Sequence, residues 1–317
     1  MIRKITLLIF SLILFISCIE SEINYTNRSE NLQRYNSQIF ETITKTEDVR
    51  YGANVTLDGA TVGLSMDIYQ PENDTEINRP LVVLAHGGSY ISGDKKDFTE
   101  LATFLAKAGY VVASINYRLL DVVPTQLDFK KVVINSVVDM KASVRFFTKD
   151  AATTNLYKTD STKVFIGGYS AGAITALHYA YVNNDDELKT IGGQTFVDYV
   201  NTKGGLVGMS GNETYSSDVK GVINMAGALF NSNFINANEA NLYSIHGTAD
   251  SVVPYLQGDV NSTGIIAEGS GILHPFATSL GLKSELNTIQ DGEHDAFLHC
   301  NSCQVEIRAF LFSELEK

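Results

Sequence analysis

The stretch from Val164 to Ala173, VFIGGYSAGA, holds one hydroxyl among small residues. Gly168, Ser170 and Gly172 fit the pattern G-x-S-x-G between an apolar run typical of a buried strand and a run with helical spacing. A serine on so sharp a turn needs unusual backbone angles and small neighbours, here two glycines and Ala171. Helix capping would explain the serine but not the small residues around it. The pattern predicts that Ser170 is a nucleophile.

A serine hydroxyl is a weak nucleophile, so a base must be placed to take its proton. Of the six histidines, His294 follows the last predicted strand and can reach over the strand ends. His178 lies inside the helix after the serine, where packing is the expected role, and His246 stands at a strand end. His274, before a proline in a predicted apolar loop, and His299 are weaker candidates. We predict that His294 is the base.

A third group must orient the imidazole and stabilise its charged form. Asp250 lies in the loop after the penultimate predicted strand. The chain order Ser170, Asp250, His294 is the one expected of α/β-hydrolases. We predict that Asp250 is this acid; the remaining candidates are Asp259, Asp291 and Asp295.

Two adjacent glycines follow another predicted buried strand, in LAHGGSY at 84–90. They allow backbone N–H groups to approach a substrate carbonyl oxygen closely. With Ala171 at a helix N-terminus, Gly88 and Ser89 are predicted to donate to the oxyanion that forms during attack. The alternative is that these glycines only form a turn.

The elements that must position these residues alternate between strand and helix. Apolar runs typical of buried strands are followed by helical spacing from Arg79 to the C-terminus. A β-hairpin around Asp58 and Gly59 precedes them. The alternation predicts a mostly parallel sheet with helices on both faces. Residues 183–220 break the rhythm and are predicted to form a small cap over the strand ends.

Five stretches occur together in the order found in the α/β-hydrolase superfamily: MDIYQP, HGGSY, NYRL, VFIGGYSAG and HGTADSVVP. Residues 49–317 thus resemble the carboxylesterase and lipase group related to hormone-sensitive lipase. The resemblance implies an eight-stranded α/β-hydrolase fold and a Ser-His-Asp mechanism without a cofactor. It also implies carboxylic ester substrates and a structural histidine at His246. Ser89 departs from the third glycine of the usual HGGG, which adds a hydroxyl to the site.

The resemblance and the residues favour a carboxylesterase for short-chain esters over several alternatives. A polymer-acting esterase, for acetylated or feruloylated polysaccharide or a polyester, shares the same machinery. A prolyl-oligopeptidase-type peptidase usually carries a large N-terminal propeller, whereas only residues 1–48 precede the hairpin here. An inactive binding module is disfavoured because all three members of the triad are present.

The N-terminus has the pattern of an export signal. Two basic residues precede an apolar run of 5–16, followed by Ser17 and Cys18. Residues 1–17 are predicted to be a signal peptide and 18–48 a tether. Cys18 resembles the lipidated cysteine of bacterial lipoproteins, although Phe15 stands where leucine is usual. We expect an outer-membrane or cell-surface lipoprotein or, with plain signal cleavage, a periplasmic or secreted protein.

Composition limits the partners. The 317 residues suffice for one large α/β domain, and a formal net charge of −12 argues against nucleic acid. Cys300 and Cys303 are expected to form a local disulfide rather than a zinc site, since no second cysteine pair exists. The expected partner is a small or polysaccharide-linked ester, with a membrane contacted only through a lipid at Cys18.

Overall fold

The computed structural model describes residues 33–316, so the predicted signal peptide and Cys18 lie outside the described residues. Its strands are β1 (Ile43–Val55), β2 (Thr61–Pro71), β3 (Arg79–Ala85), β4 (Val111–Ile115), β5 (Thr159–Tyr169), β6 (Gly221–Met225), β7 (Ala228–Leu229), β8 (Asn241–Gly247), β9 (Gln257–Asp259), β10 (Ile266–Gly269) and β11 (Ser284–Ile289). Its helices are α1 (Thr99–Ala106), α2 (Gln126–Ala152), α3 (Ala171–Tyr181), α4 (Asp185–Thr202), α5 (Ser270–Ser279) and α6 (Cys303–Leu315). None of the helices in this part of the chain is long and apolar enough to cross a membrane.

Eight strands form one sheet in the order β1-β2-β4-β3-β5-β6-β8-β11. The predicted hairpin of β1 and β2 lies at one edge and is antiparallel, as is the pairing of β2 with β4. The remaining pairs are parallel. The predicted α/β-hydrolase sheet is confirmed, and because its strands are parallel, the loops after β3, β5, β8 and β11 meet at one edge.

The central strands are buried on both faces, which explains their continuous apolar sequence. In β3, Leu81 and Val83 pack against α2 and α3, whereas Val82 and Leu84 pack against α1 and α6. Burying each such side chain stabilises the fold by about 1.5–3 kcal/mol. A three-stranded antiparallel sheet, β7-β10-β9, lies beside the main one.

The NYRL stretch after β4 is tied to α2 by a buried ion pair. Arg118 Nε lies 2.8 Å from Asp139 Oδ2, and Arg118 Nη2 lies 2.8 Å from Asp139 Oδ1. A bidentate pair of this kind has a fixed geometry as well as charge attraction. It holds the loop after β4 against the helix that forms one wall of the site described below.

The folded domain begins before residue 49, where the sequence placed the end of the tether. β1 starts at Ile43. The ring of Tyr35 meets that of Tyr110 edge-on at a centroid distance of 5.2 Å, and Arg34 forms an ion pair with Asp74. Residues in the second half of the predicted tether therefore pack on the domain.

Residues 183–220 form α4 and a long loop that lie along α2. Lys130 Nζ donates to Ile191 O at 2.7 Å, and Tyr199 Oη donates to Asn135 Oδ1 at 3.1 Å. The loop then continues to the sheet edge, where Ser210 O accepts the N–H of Ala53. The expected cap over the strand ends is thus a layer over α2 instead, because its apolar residues pack against that helix.

Candidate active site

Ser170 stands on the tight turn between β5 and α3, with φ 53° and ψ −118°. Its side chain makes no capping hydrogen bond to α3, which removes the capping alternative. A Cβ atom on Gly172 would lie 1.9 Å from Ala85 O, and one on Gly168 would lie 2.4 Å from the carbonyl carbon of Gly172. Only glycine at both positions lets the turn pack against β3.

Ser170, His294 and Asp250 form one chain of hydrogen bonds. His294 Nε2 lies 2.8 Å from Ser170 Oγ, and His294 Nδ1 lies 2.7 Å from Asp250 Oδ2. Because Asp250 is an acceptor, Nδ1 carries the proton, and Nε2 is free to accept the serine proton. The three residues follow β5, β11 and β8, whose ends meet at the same edge of the sheet.

Asp250 has no exposed side-chain surface and is held by four donors. Its Oδ1 accepts the N–H groups of Val252 and Val253, each at 2.8 Å. Its Oδ2 faces both His294 and His246, the latter at 3.2 Å. Burial alone would raise the pKa of Asp250, but hydrogen bonds from His246, His294 and Val253 hold that pKa below its usual value. The carboxylate therefore stays ionised beside the imidazole.

His246 belongs to this site, although the resemblance implied only a structural role for it. Its Nε2 faces two acceptors, Asp250 Oδ2 and Val253 O, so Nε2 carries the proton. Its Nδ1 then accepts from Ser270 Oγ at 2.8 Å, and Ser270 in turn accepts from Asn224 Nδ2. This contact was missed from the sequence; the spacing of four residues between His246 and Asp250, across the strand end, is the one signal in the sequence that could have indicated it.

The loop that carries His294 is held in place by Tyr169, the residue before Ser170. The ring of Tyr169 lies 5.1 Å from that of His294, and its hydroxyl donates to His294 O at 3.2 Å. Burial first, then the charges of Asp250 and Asp295, raises the pKa of Tyr169 to about 12, so the donor stays protonated. Further along, a disulfide joins Cys300 and Cys303 at the start of α6.

The other candidate bases lie away from Ser170. His178 is buried in α3 and bonded to Ile174 O. His274 lies in α5 rather than in the predicted loop, and its ring contacts Ser284 Oγ. His299 is exposed and pairs with Asp295. Of the other candidate acids, Asp259 accepts the N–H of Gly264, and Asp291 accepts from Gln290.

The three predicted oxyanion donors differ in whether they line the cavity beside Ser170. Ser89 and Ala171 line a cavity together with Ser170, whereas Gly88 does not line it. Gly88 has φ 102°, and a Cβ atom there would lie 2.2 Å from Ser92 O. Within residues 33–316, the N–H groups of all three donate to no other residue, as required of groups that wait for a substrate.

The cavity beside Ser170 has about 40 Å³ of room for the centres of water-sized molecules. Phe129 and Val133 of α2 and Ile174 of α3 form its apolar floor. Residues 252–265 supply the opposite wall, and none of residues 183–220 lines it. At the mouth of the cavity, Asn261 Nδ2 donates to Ser89 Oγ at 3.3 Å. Ser89, which replaces the third glycine of HGGG, therefore connects the two walls of the cavity through its hydroxyl.

The eight-stranded sheet, the serine turn and the chain order of the three polar residues define the class of protein, an α/β-hydrolase. The family model BD-FAE matches residues 66–228, which is more than half of the chain. The chain therefore belongs to the BD-FAE family, and the protein is a carboxylic ester hydrolase. No curated protein matches the chain.

Several solved structures are similar at low sequence identity. Esterase 2 of Thermogutta terrifontis, phosphorylated by paraoxon, is 19% identical with a TM-score of 0.61, over 85% of this chain and 94% of that one. The same esterase with propionate bound is 19% identical with a TM-score of 0.60, over the same shares. A truncated carbohydrate esterase from gut microbiota is 18% identical with a TM-score of 0.60, over 86% of this chain and 97% of that one. These neighbours establish the fold.

Proposed function

We propose that the protein is a serine carboxylesterase that hydrolyses short-chain esters through an acyl-enzyme. The observation that carries the proposal is the hydrogen-bond chain from Ser170 through His294 to Asp250, beside a small apolar cavity. A buried carboxylate, a tautomer-fixed imidazole and a serine on a strained turn are the groups that acyl transfer needs.

The mechanism follows from the donors and acceptors. Ser170 Oγ gives its proton to His294 Nε2 and forms a bond to the ester carbonyl carbon. The resulting oxyanion accepts hydrogen bonds from backbone N–H groups of Ser89 and Ala171, with Gly88 as the third candidate. The bond to the alcohol oxygen then breaks, and His294 protonates that oxygen. Water repeats the sequence on the acyl-enzyme, with His294 as base, and releases the acid.

The cavity fits the acyl group rather than the alcohol. The leaving oxygen must lie on the side of His294, because that ring protonates it. The cavity is lined by Ser170, Ser89 and Ala171 but not by His294, so it lies on the other side of the carbonyl carbon.

The size of the cavity favours short acyl groups. A space with only about 40 Å³ of room for the centres of water-sized groups accommodates an acyl chain of a few carbons. An acetyl or propionyl group is of this size. The propionate-bound structure of the Thermogutta esterase supports the same range.

Replacing the serine tests the proposal. We expect Ser170→Ala to lower kcat for p-nitrophenyl acetate by about 10⁴-fold or more, because the nucleophile is lost. Ser143→Ala, at a buried serine of α2 whose hydroxyl donates to Met140 O, is the matched control and should keep its activity. Retention of most activity by a folded Ser170→Ala protein, checked by circular dichroism, would overturn the assignment.

A polymer-linked ester is the second candidate. The similarity to a carbohydrate esterase from gut microbiota supports it, as does a site mouth that carries the polar pair Ser89 and Asn261. Release of acetate from acetylated xylan at a rate comparable with p-nitrophenyl acetate would favour a polymer-linked ester, and no release would exclude acetylated xylan as the substrate.

We also propose export and a lipid anchor at Cys18. The N-terminal sequence and the disulfide of Cys300 and Cys303, which suits an oxidising compartment, support this. Cys18→Ser should move the protein from the membrane fraction to the soluble fraction; an unchanged distribution would contradict the anchor.

A further inference from the structure

A second cavity adjoins the one beside Ser170. It has about 300 Å³ of room for the centres of water-sized molecules and is lined by Thr190 and Ile191 of α4, among others. Phe230 and Ile265 are the two residues that line both cavities. These two side chains therefore form the partition between a small space at the nucleophile and a larger space behind it.

Both partition residues are held by the three-stranded sheet. Phe230 directly follows β7, and Ile265 directly precedes β10. The two strands are antiparallel, with Leu229 opposite Glu268, so the ends that carry the partition lie next to each other. Ile265 O also accepts the N–H of Val260 at 2.9 Å.

His178 fixes the position of Phe230. The ring of His178 meets the ring of Phe230 edge-on at a centroid distance of 4.2 Å. Its Nδ1 donates to Ile174 O at 2.8 Å, so its Nε2 is free to accept the N–H of Phe230 at 3.4 Å. Burial lowers the pKa of His178 to about 4, so the ring is neutral and keeps this tautomer near neutral pH.

We propose that Phe230, backed by Ile265, is the end wall that limits the acyl group to two or three carbons, and that the cavity behind it is a latent site for a longer acyl chain. The inference rests on the proposed function and adds the residue that sets chain length. The acyl group enters beside Ser170, and Phe230 meets its far end. Without that ring, the chain can continue into the space beside Thr190.

Truncating the partition tests the proposal through a ratio of two activities. We expect Phe230→Ala to raise the ratio of kcat/KM for p-nitrophenyl butyrate over acetate by about tenfold, the effect of burying two more methylene groups. The ratio does not depend on how much of the variant is folded. Phe230→Leu, a smaller change, should raise it less. Phe234→Ala, which enlarges only the second cavity, is the matched control and should leave it unchanged.

A blocking variant shows where the longer chain goes. Thr190 is exposed and lines only the second cavity, so Thr190→Trp fills that space without touching the partition. In the Phe230→Ala background, Thr190→Trp should return the butyrate-to-acetate ratio of kcat/KM toward the wild-type value. The same ratio for p-nitrophenyl hexanoate over acetate should fall more strongly, because the longer chain reaches further into the second cavity.

The outcomes separate the partition from the proposed function. A ratio within about twofold of wild type in Phe230→Ala, or a rise that Thr190→Trp does not reverse, overturns the partition while the esterase assignment stands. A wild-type protein that cleaves neither ester contradicts the proposed function, and the partition with it.

Discussion

At the scale of single residues, the requirements of catalysis restricted which residues of the sequence qualified as nucleophile, base and acid. A nucleophilic serine needs small neighbours, a base and an acid, so few serines, histidines and aspartates could qualify, and Ser170, His294 and Asp250 do lie within hydrogen-bond distance. The second histidine on Asp250 could not be identified in this way, since no step of the chemistry demands His246. Its contact depends on how the loop after β8 turns back.

The contact between His246 and Asp250 is expected to position the acid. A hydrogen bond to a charged group contributes about 1.5–3 kcal/mol, which corresponds to roughly 10- to 100-fold in rate if it is used in the transition state. We therefore expect His246→Leu to lower kcat by at least about tenfold with KM little changed. His246→Gln, which keeps an N–H donor at that distance, should recover part of the loss.

Steady-state kinetics on both variants checks this expectation. Equal kcat values for the leucine and glutamine variants, or a change confined to KM, would show that His246 only fills space.

At the scale of elements, hydrophobic patterns predicted the main sheet well. Continuous apolar runs mark the central strands because both faces of these strands are covered, and the Asp58-Gly59 turn marks the edge hairpin. The wall of the cavity was missed. Residues 252–265 mix apolar and polar side chains without a helical or alternating period, so only the pairing of β10 with β7 and β9 shows where they fold.

The close packing of α3 on β3 requires glycine at position 172, and this requirement can be tested. A Cβ atom on Gly172 would lie 1.9 Å from the backbone oxygen of Ala85, and neither element can shift without moving the sheet. We expect Gly172→Ala to lower the free energy of unfolding by about 3 kcal/mol. Urea denaturation followed by circular dichroism measures the change.

Gly63→Ala in β2 is the matched control. Its Cβ atom would meet only the flexible side chain of Arg50, at 3.3 Å. Equal urea midpoints for the two variants would show that the contact between α3 and β3 is looser than described.

At the scale of the whole molecule, the site depends on the topology of the sheet. Ser170 and His294 are 124 residues apart in sequence, and Asp250 and His294 are 44 apart. Parallel strands bring them together because each residue follows the carboxyl end of a strand in the same sheet. The sequence predicted this edge but not the extent of the domain, since Tyr35 and Arg34 contact it from within the predicted tether.

Covalent trapping of the nucleophile tests the central claim most directly. Paraoxon transfers its diethyl phosphoryl group to an activated serine oxygen and releases p-nitrophenolate. We expect intact-protein mass spectrometry to show one phosphoryl group per chain and peptide mapping to place it on Ser170. His294→Ala should slow the labelling by about 10³-fold or more. A label on any other residue, or an unlabelled Ser170 in folded protein, would contradict the account.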